Sequence, residues 1–540
     1  MSFTFDHVPP APVSPLATEH RVGMRDGVRL AADVYLPDGL AAPTEAVLVR
    51  LPYDKCGDYA YMPRLAPWFT ARGYAVIIQD VRGKFRSEGE AVPFANEVLD
   101  GYDTIEWIVG QPWSNGRVGM FGDSYYGFTQ WAAVASGHPA LRAICPRVTG
   151  AHLPDAPRTD EIASLVRADW LAHFWTGPDR YDFAVDWSRR PLVDVFERFW
   201  KTLGHRSAGF DRTFPYPAPM HCFPSGHPFD ARPVPTLQMI GWFDNTAPWQ
   251  WSDHEQLARR PEWPEYLYID AVDHNAYHVD DTPITEENDH GANPQALEAM
   301  LPRYVNPVLE FFEIFLRGQG DQGWLPKVRW RPVHGDWRSA ETWPPLGAAG
   351  RTLYLRGGTL ADEPGAVTED VSWIHDPDDL VPSKAVDAFG FLHDYPDESQ
   401  YGERSDVLAF TGTPTETELE LAGPIELQAT VRSSGPTMDV FARLLDVDPN
   451  GAARYIARGQ IHVADASRDT PVRISLCHAG YILRPGHSLR LHLAGSDFPE
   501  FVPTPGTGEN PWFATETRRN EHVLRLGGAE AARLTITVLP

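Results

Sequence analysis

Six consecutive residues, Gly122-Asp123-Ser124-Tyr125-Tyr126-Gly127, constrain this chain more tightly than any other stretch. They follow a short apolar run, Val118-Gly119-Met120-Phe121, and precede a helix-like one over 128–134. A serine set where a strand turns sharply into a helix is a nucleophile elbow. The turn pushes the hydroxyl into the open at the C-terminal edge of a sheet. The helix behind it aims backbone N–H groups at any anion forming there. The usual form has glycine two residues after the serine; here Tyr126 holds that place and Gly127 follows.

The segments around the elbow alternate in the manner of a parallel sheet with crossover helices. Strands are expected over 29–35, 45–51, 75–80, 118–122 and 141–148, with helices over 65–72 and 98–109. From 151 to 235 the character changes. Ile162, Leu165, Val166, Trp170, Leu171, Phe174 and Trp175 fall on a helical period, and so do Leu192, Val195, Phe196, Phe199 and Trp200. This block reads as a helical insertion with a Pro-rich return over 214–235. Strands resume over 236–243 and 265–270, and a helix fits 303–317. Beyond 326, Ile425, Leu427, Ala429 and Val431 alternate with polar residues, as do Leu489, Leu491 and Leu493 and then Leu534, Ile536 and Val538. Alternation broken by Pro- and Gly-containing turns describes an all-β sandwich. The reading is therefore an α/β fold: an α/β-hydrolase core in two parts, 1–150 and 236–325, a helical cap over 151–235, and a β domain over 326–540.

At 540 residues the chain needs more than one core. A formal net charge of −26 argues against nucleic acid or an anionic membrane as partner. Cys56, Cys145, Cys222 and Cys477 are scattered without a CxxC pair, which suits reduced thiols in a cytoplasmic protein. Met1-Ser2-Phe3-Thr4-Phe5-Asp6 lacks a basic region followed by an apolar core, so no signal peptide is expected, and no apolar run is long enough to cross a bilayer. Oligomeric state is left open.

Ser124 needs a base, and the base needs an orienting carboxylate, in the chain order Ser, Asp or Glu, His. Asp244 ends the apolar strand over 237–243, and His274 follows the strand over 266–270 by four residues, so both should emerge on the elbow's edge of the sheet. His254, His278 and His290 are rivals, but His274 alone directly follows a strand. His274 and His278 are spaced i,i+4 with Asp273, Asp280 and Asp281 alongside. No HExxH motif accompanies them and Asn275-Ala276-Tyr277 does not read as helix, so neither a metal nor another cofactor is expected.

These features spread into a resemblance. The chain is similar to the cocaine esterase and X-Pro dipeptidyl-peptidase family of serine hydrolases, which also holds the α-amino-acid ester hydrolases. The matching residues are Met24-Arg25-Asp26-Gly27-Val28-Arg29-Leu30, Pro52-Tyr53-Asp54-Lys55, Asp80-Val81-Arg82-Gly83 with Ser87-Glu88-Gly89, and Gly119 to Gly127. Gly241-Trp242-Phe243-Asp244, Asp448-Pro449-Asn450-Gly451 and Asn510-Pro511 complete them. The displaced glycine of the elbow is the family's own variant. The resemblance implies an α/β-hydrolase core, a helical cap and a C-terminal jelly-roll. It also implies Ser124 as nucleophile, Asp244 as acid and His274 as base, with an oxyanion hole made by the Tyr53 hydroxyl and the Tyr125 backbone N–H. One departure stands out: relatives carry Gly-Pro-Trp shortly before the histidine, where this chain has Asp270-Ala271-Val272-Asp273.

Trp170, Phe174 and Trp175 of the cap, with Trp242 and Phe243 beside the acid, are the expected pocket walls and suit a bulky apolar or aromatic acyl group. Asn245-Thr246-Ala247-Pro248 stands where α-amino-acid ester hydrolases place carboxylates for a substrate ammonium. The expectation is therefore a serine hydrolase cleaving small-molecule carboxylic esters, with amides within reach of the same chemistry. An Xaa-Pro dipeptidyl-peptidase or a β-lactam or aminoacyl acylase is the nearest alternative. A non-catalytic carbohydrate-binding protein is the alternative from another class.

Overall fold

The computed structural model describes residues 5–540 apart from 156–159, 184, 188, 205, 216–221 and 384–386; part of the expected Pro-rich return thus lies outside the described residues. The N-terminal half begins with β1 (Phe5–Val8), β2 (Thr18–Gly23), β3 (Arg29–Tyr35) and β4 (Thr44–Leu51). It continues through α1 (Met62–Thr70), β5 (Ala75–Asp80), α2 (Glu97–Val109), β6 (Ser114–Asp123), α3 (Ser124–Ser136) and β7 (Leu141–Arg147). The inserted block holds α4 (Leu165–Trp175), β8 (Arg180–Phe183), α5 (Asp194–Leu203) and α6 (Ala208–Thr213). The chain then returns to the sheet with β9 (Thr236–Gly241), α7 (Ala247–Leu257), β10 (Glu265–Asp270), α8 (Pro294–Phe315), β11 (Val328–Trp330) and β12 (Arg338–Ala340).

Ten of these strands make one sheet in the order β12-β11-β10-β9-β7-β6-β4-β5-β3-β2. The pairs from β5 through β4, β6, β7, β9 and β10 to β11 are parallel, and antiparallel β2, β3 and β12 finish the two edges. Because β6 lies inside the sheet, both of its faces must be apolar. Val118 and Met120 share a core cluster with Ile105, Ile108 and Trp131 of α2 and α3. The Phe121 ring instead lies 5.4 Å from Phe69 of α1 and 5.7 Å from Tyr304 of α8.

Two local readings change in the folded chain. The helix expected over 303–317 starts at Pro294, where the Asn293 side chain caps it by accepting from the amides of Gln295 (2.9 Å) and Ala296 (3.4 Å); Pro302 and Pro307 sit inside it. The α/β sheet does not stop at 325. β11 pairs in parallel with β10 and β12 with β11, so the core sheet runs on to Ala340. Strands of three residues carry no periodic signal; pairing with a neighbour creates them.

From Ala349 to Val538 the described chain is all-β but for single helical turns, with eleven strands in one sheet, ten on one path and Thr470–Leu483 branching from Leu419–Ser433. The long strand Leu419–Ser433 alternates its burial along Ile425, Leu427, Ala429 and Val431, as the sequence pattern requires. This C-terminal domain shares a core cluster with Trp242, Phe243 and Trp251 of the α/β domain. Among the described residues, no helix is long and apolar enough to cross a membrane.

Candidate active site

The elbow is built from backbone strain. Ser124 has φ +51° and Val148, after the neighbouring strand β7, has φ +41°. Left-handed conformations are unfavourable for a non-glycine residue and persist only where surrounding bonds over-determine them. Here the Ser124 N–H donates to the Val148 carbonyl at 3.2 Å, the Val148 N–H donates to that of Met239 at 3.0 Å, and the Thr149 hydroxyl donates to the Ser124 carbonyl at 2.6 Å. The two glycines of the motif have steric reasons. A Cβ on Gly122 (φ +144°) would fall 2.0 Å from the Tyr126 ring, and one on Gly127 2.5 Å from the Thr149 methyl. Tyr126 can therefore occupy the usual glycine place because its ring folds back over Gly122.

Ser124 is half-buried at the start of α3, and Tyr125 occupies the first turn, where N–H groups have no intrahelical carbonyl to meet. The Tyr125 side chain points away into the core; its hydroxyl accepts from the Phe94 N–H and donates to Glu97, each at 2.8 Å. Tyr53 leaves the end of β4 and is 5% exposed. Its hydroxyl accepts from Trp170 Nε1 at 3.0 Å, and the Ser124 side chain lies close enough to act on it. Burial pushes the Tyr53 pKa far up, so the hydroxyl keeps its proton at any working pH.

Asp244 and His274, on the loops after β9 and β10, meet: Nδ1 of His274 lies 2.8 Å from Oδ1 of Asp244. The Thr246 N–H donates to the same oxygen at 3.0 Å and the Thr246 hydroxyl to Oδ2 at 2.6 Å, which fixes the carboxylate. His274 rides a tight hairpin closed by Asp273 N–H to Tyr277 carbonyl (3.1 Å), with Ala276 at φ +70°. The rival histidines have other partners: His254 pairs with Glu265 (3.1 Å), His278 with Asp270 (3.2 Å), and His290 Nε2 lies 2.8 Å from the Asn275 carbonyl. With His278 turned to Asp270, the i,i+4 histidines do not converge. Among the described residues, no cluster of His, Cys, Asp or Glu has the geometry to hold a metal ion.

Neighbours that the sequence did not single out complete the site. Asp123 receives Arg147 Nη1 at 2.6 Å, and the Arg147 guanidinium lies over the Tyr304 ring at 4.5 Å. Burial raises the Asp123 pKa, while Arg147, Tyr304 and His274 pull it back. The Asp123 carboxyl thus feels both the arginine behind the elbow and the imidazole in front. The β domain also reaches in. The Phe389 ring lies 4.9 Å from that of His274, the Phe389 carbonyl accepts from the Asn275 N–H at 3.1 Å, and the buried Asp273 carboxylate accepts from Leu392 (2.8 Å) and Tyr277 (3.0 Å). Nothing near position 274 in the sequence points to residues more than a hundred positions away.

The aromatic residues divide. Phe174 stacks edge-on against Tyr53 at 4.8 Å and lies 5.1 Å from Tyr59, which is 47% exposed. Trp170 is half-buried beside them. Trp175 is fully buried, 5.4 Å from the Tyr125 ring. Trp242 donates its indole N–H to the Arg331 carbonyl at 2.8 Å and stacks on Trp251, while Phe243 packs on Phe391, Tyr395 and Tyr455. Those last three residues pack the interior and the seam with the β domain.

Comparison with known proteins agrees with this fold. Residues 26–279 match the family model of the X-Pro dipeptidyl-peptidase (S15 family), and residues 322–535 match that of the X-Pro dipeptidyl-peptidase C-terminal non-catalytic domain. Cocaine esterase from Rhodococcus sp. (strain MB1 Bresler) is 30% identical over 91% of this chain and 93% of its own. The chain belongs to the X-Pro dipeptidyl-peptidase (S15) family. It is a serine hydrolase. Solved structures share the fold along its whole length. An aminopeptidase from a marine sediment Thaumarchaeota archaeon aligns with TM-score 0.82 at 21% identity, over 99% of each chain. An α-amino acid ester hydrolase aligns with TM-score 0.79 at 22% identity, over 98% of each. Membership in a family of hydrolases sets aside the reading of a sugar-binding protein with a degenerate elbow.

Proposed function

We propose that this family member hydrolyses carboxylic esters through an acyl-enzyme on Ser124. In this reading His274 accepts the Ser124 proton as the hydroxyl oxygen attacks the acyl carbon. Asp244 holds the imidazole tautomer through Nδ1 and stabilises the imidazolium. The Tyr53 hydroxyl and the Tyr125 N–H receive the developing O⁻, and His274 returns the proton to the departing alkoxide. Water then repeats the sequence on the acyl-enzyme, releasing the acid. The observation that carries this reading is the 2.8 Å bond between His274 and an Asp244 carboxylate that two donors of Thr246 hold in place. A histidine oriented in that way, on the same sheet edge as a strained serine, supports this role in proton transfer.

Esters are favoured over amides because the relative with 30% identity is named a cocaine esterase. Tyr59, Trp170 and Phe174 offer an aromatic wall beside Ser124 that suits an apolar acyl group. The test is a chromogenic panel of acyl esters, aminoacyl esters and Xaa-Pro anilides, run with wild type and Ser124→Ala. Acyl esters should turn over fastest, Ser124→Ala should be inactive, and a fluorophosphonate should label Ser124. Labelling at another serine, or undiminished hydrolysis by Ser124→Ala, overturns the mechanism. Preferential cleavage of the anilides overturns the ester preference alone.

A further inference from the structure

Tyr53 is enclosed almost entirely by rings: Phe174 at 4.8 Å, Tyr59 at 5.3 Å and Tyr126 at 6.1 Å. Its hydroxyl accepts from the indole N–H of Trp170 at 3.0 Å, and the Ser124 side chain lies near it. A phenol has one proton to give, whereas an indole N–H can only donate. Rotating that proton toward Trp170 would set two donors against each other inside a low-dielectric pocket. The acceptor side of the Tyr53 oxygen is thus occupied, and its proton is directed to the Ser124 side.

We propose that Trp170 is a positioning residue for catalysis: by donating to Tyr53 it aims the phenolic proton at the oxygen that forms on the acyl group bound to Ser124. The inference rests on the oxyanion reading of Tyr53 given above. The bond also polarises the phenol, since accepting a hydrogen bond strengthens the one donated onward. Trp170 therefore acts through Tyr53, and the cap helix that carries it belongs to the reaction geometry as well as to the pocket wall.

The anchoring of α4 fits this role. Its first turn is capped by the Ser164 hydroxyl, which accepts from the Arg167 N–H at 3.2 Å. The same end is tied to the β domain: the Leu165 N–H donates to the Glu500 carbonyl and the Val502 N–H to that of Ala163, each at 2.9 Å. The other end is held by Lys84 of the α/β core. Its buried Nζ donates to the carbonyls of Phe174, Gly177 (2.8 Å) and Asp179 (3.2 Å). Trp170 lies between the two clamps, so its indole is held in place from both domains.

The test is a double-mutant cycle on Tyr53→Phe and Trp170→Phe with an acyl ester under saturating substrate. Tyr53→Phe should lower kcat roughly 10²-fold, and Trp170→Phe roughly 3- to 10-fold with little change in KM. In the Tyr53→Phe background, Trp170→Phe should cost almost nothing more, because the proton it aims is gone. Additive losses, or a Trp170 effect confined to KM, show a wall residue and overturn the proposal. An undiminished kcat in Tyr53→Phe overturns the oxyanion reading itself, which separates the two failures. Should Trp170→Phe not fold, Trp170→His and Trp170→Leu decide: both lose the indole, but histidine keeps a ring N–H. Higher kcat in Trp170→His supports the bond, and equal rates overturn it.

Discussion

His274 Nδ1 and Asp244 Oδ1 lie 2.8 Å apart across thirty residues of sequence, and the same carboxylate takes both donors of Thr246. A carboxylate can only accept, so the one held there by Thr246 permits a single tautomer, with the proton on Nδ1 and a lone pair on Nε2.

Asp244→Asn should break that arrangement without breaking the fold. An amide can present N–H to Nδ1 and stabilise the opposite tautomer, in which Nε2 already carries a proton and cannot accept one. Turnover should fall about 10⁴-fold with a near-normal Tm. Pre-steady-state release of chromophore should disappear along with it, because acylation is the step that needs the base. A variant that retained its burst would assign the acid to another residue.

How much of this site the sequence exposed depends on how local each determinant is. Ser124, Asp244 and His274 sit at strand ends, so the position of each follows from the apolar run before it. Arg147 is invisible in that way: it ends β7 like any polar residue, and its meaning comes from Asp123 on the neighbouring strand. Phe389 and Leu392 reach the histidine hairpin from another domain, and no spacing rule covers that distance. The same holds for β11 and β12, which exist because β10 offers them an edge. Trp170 was legible as an aromatic near the site, but its hydrogen bond to Tyr53 needed coordinates.

Arg147→Met should be among the more damaging single substitutions in the core. Arg147 and Asp123 are both buried, and removing the guanidinium strands a carboxylate beneath the elbow. Losing one partner of a buried pair costs about 3–5 kcal/mol, whereas replacing both is often near neutral. The double variant Asp123→Asn/Arg147→Met should therefore recover most of the Tm lost by Arg147→Met. Differential scanning calorimetry of the three proteins checks it, and equal Tm values for single and double variants would refute the pairing argument.

Asp273 offers a test of whether the β domain fixes the histidine. Its carboxylate takes the Tyr277 and Leu392 amides on separate oxygens, joining the hairpin to the helical turn that starts at Phe391. Asp273→Ala leaves two buried N–H groups unmatched, at about 1–3 kcal/mol each. Because a misplacement of about 1 Å can cost 10²-fold in rate, kcat should drop well beyond what the Tm shift alone implies. Asp273→Asn keeps one acceptor and should fall between alanine and wild type. A kcat indifferent to both changes would mean that the hairpin holds itself.

The loop carrying Tyr53 predicts a specific pH dependence of stability. The Asp80 carboxyl, fully buried at the end of β5, accepts from the backbone N–H of Lys55 at 2.9 Å and of Arg86 at 3.3 Å. Burial pushes its pKa up to about 7, with Asp54 adding to the rise and Lys55 opposing it. An unfolded aspartate titrates near 3.9, so between about pH 4 and pH 7 the native chain holds a proton that the unfolded chain has lost. Native binding of the extra proton makes stability fall as pH rises. The contribution of Asp80 is therefore fully present below the unfolded pKa and is lost as pH climbs through the folded one. Asp80→Asn cannot titrate and removes that slope. Other groups cancel in the comparison, so the Tm of wild type minus that of Asp80→Asn should be larger at pH 5 than at pH 8. A difference that stayed flat, or grew with pH, would mean that Asp80 is ionised throughout and that the Lys55 ammonium outweighs its burial.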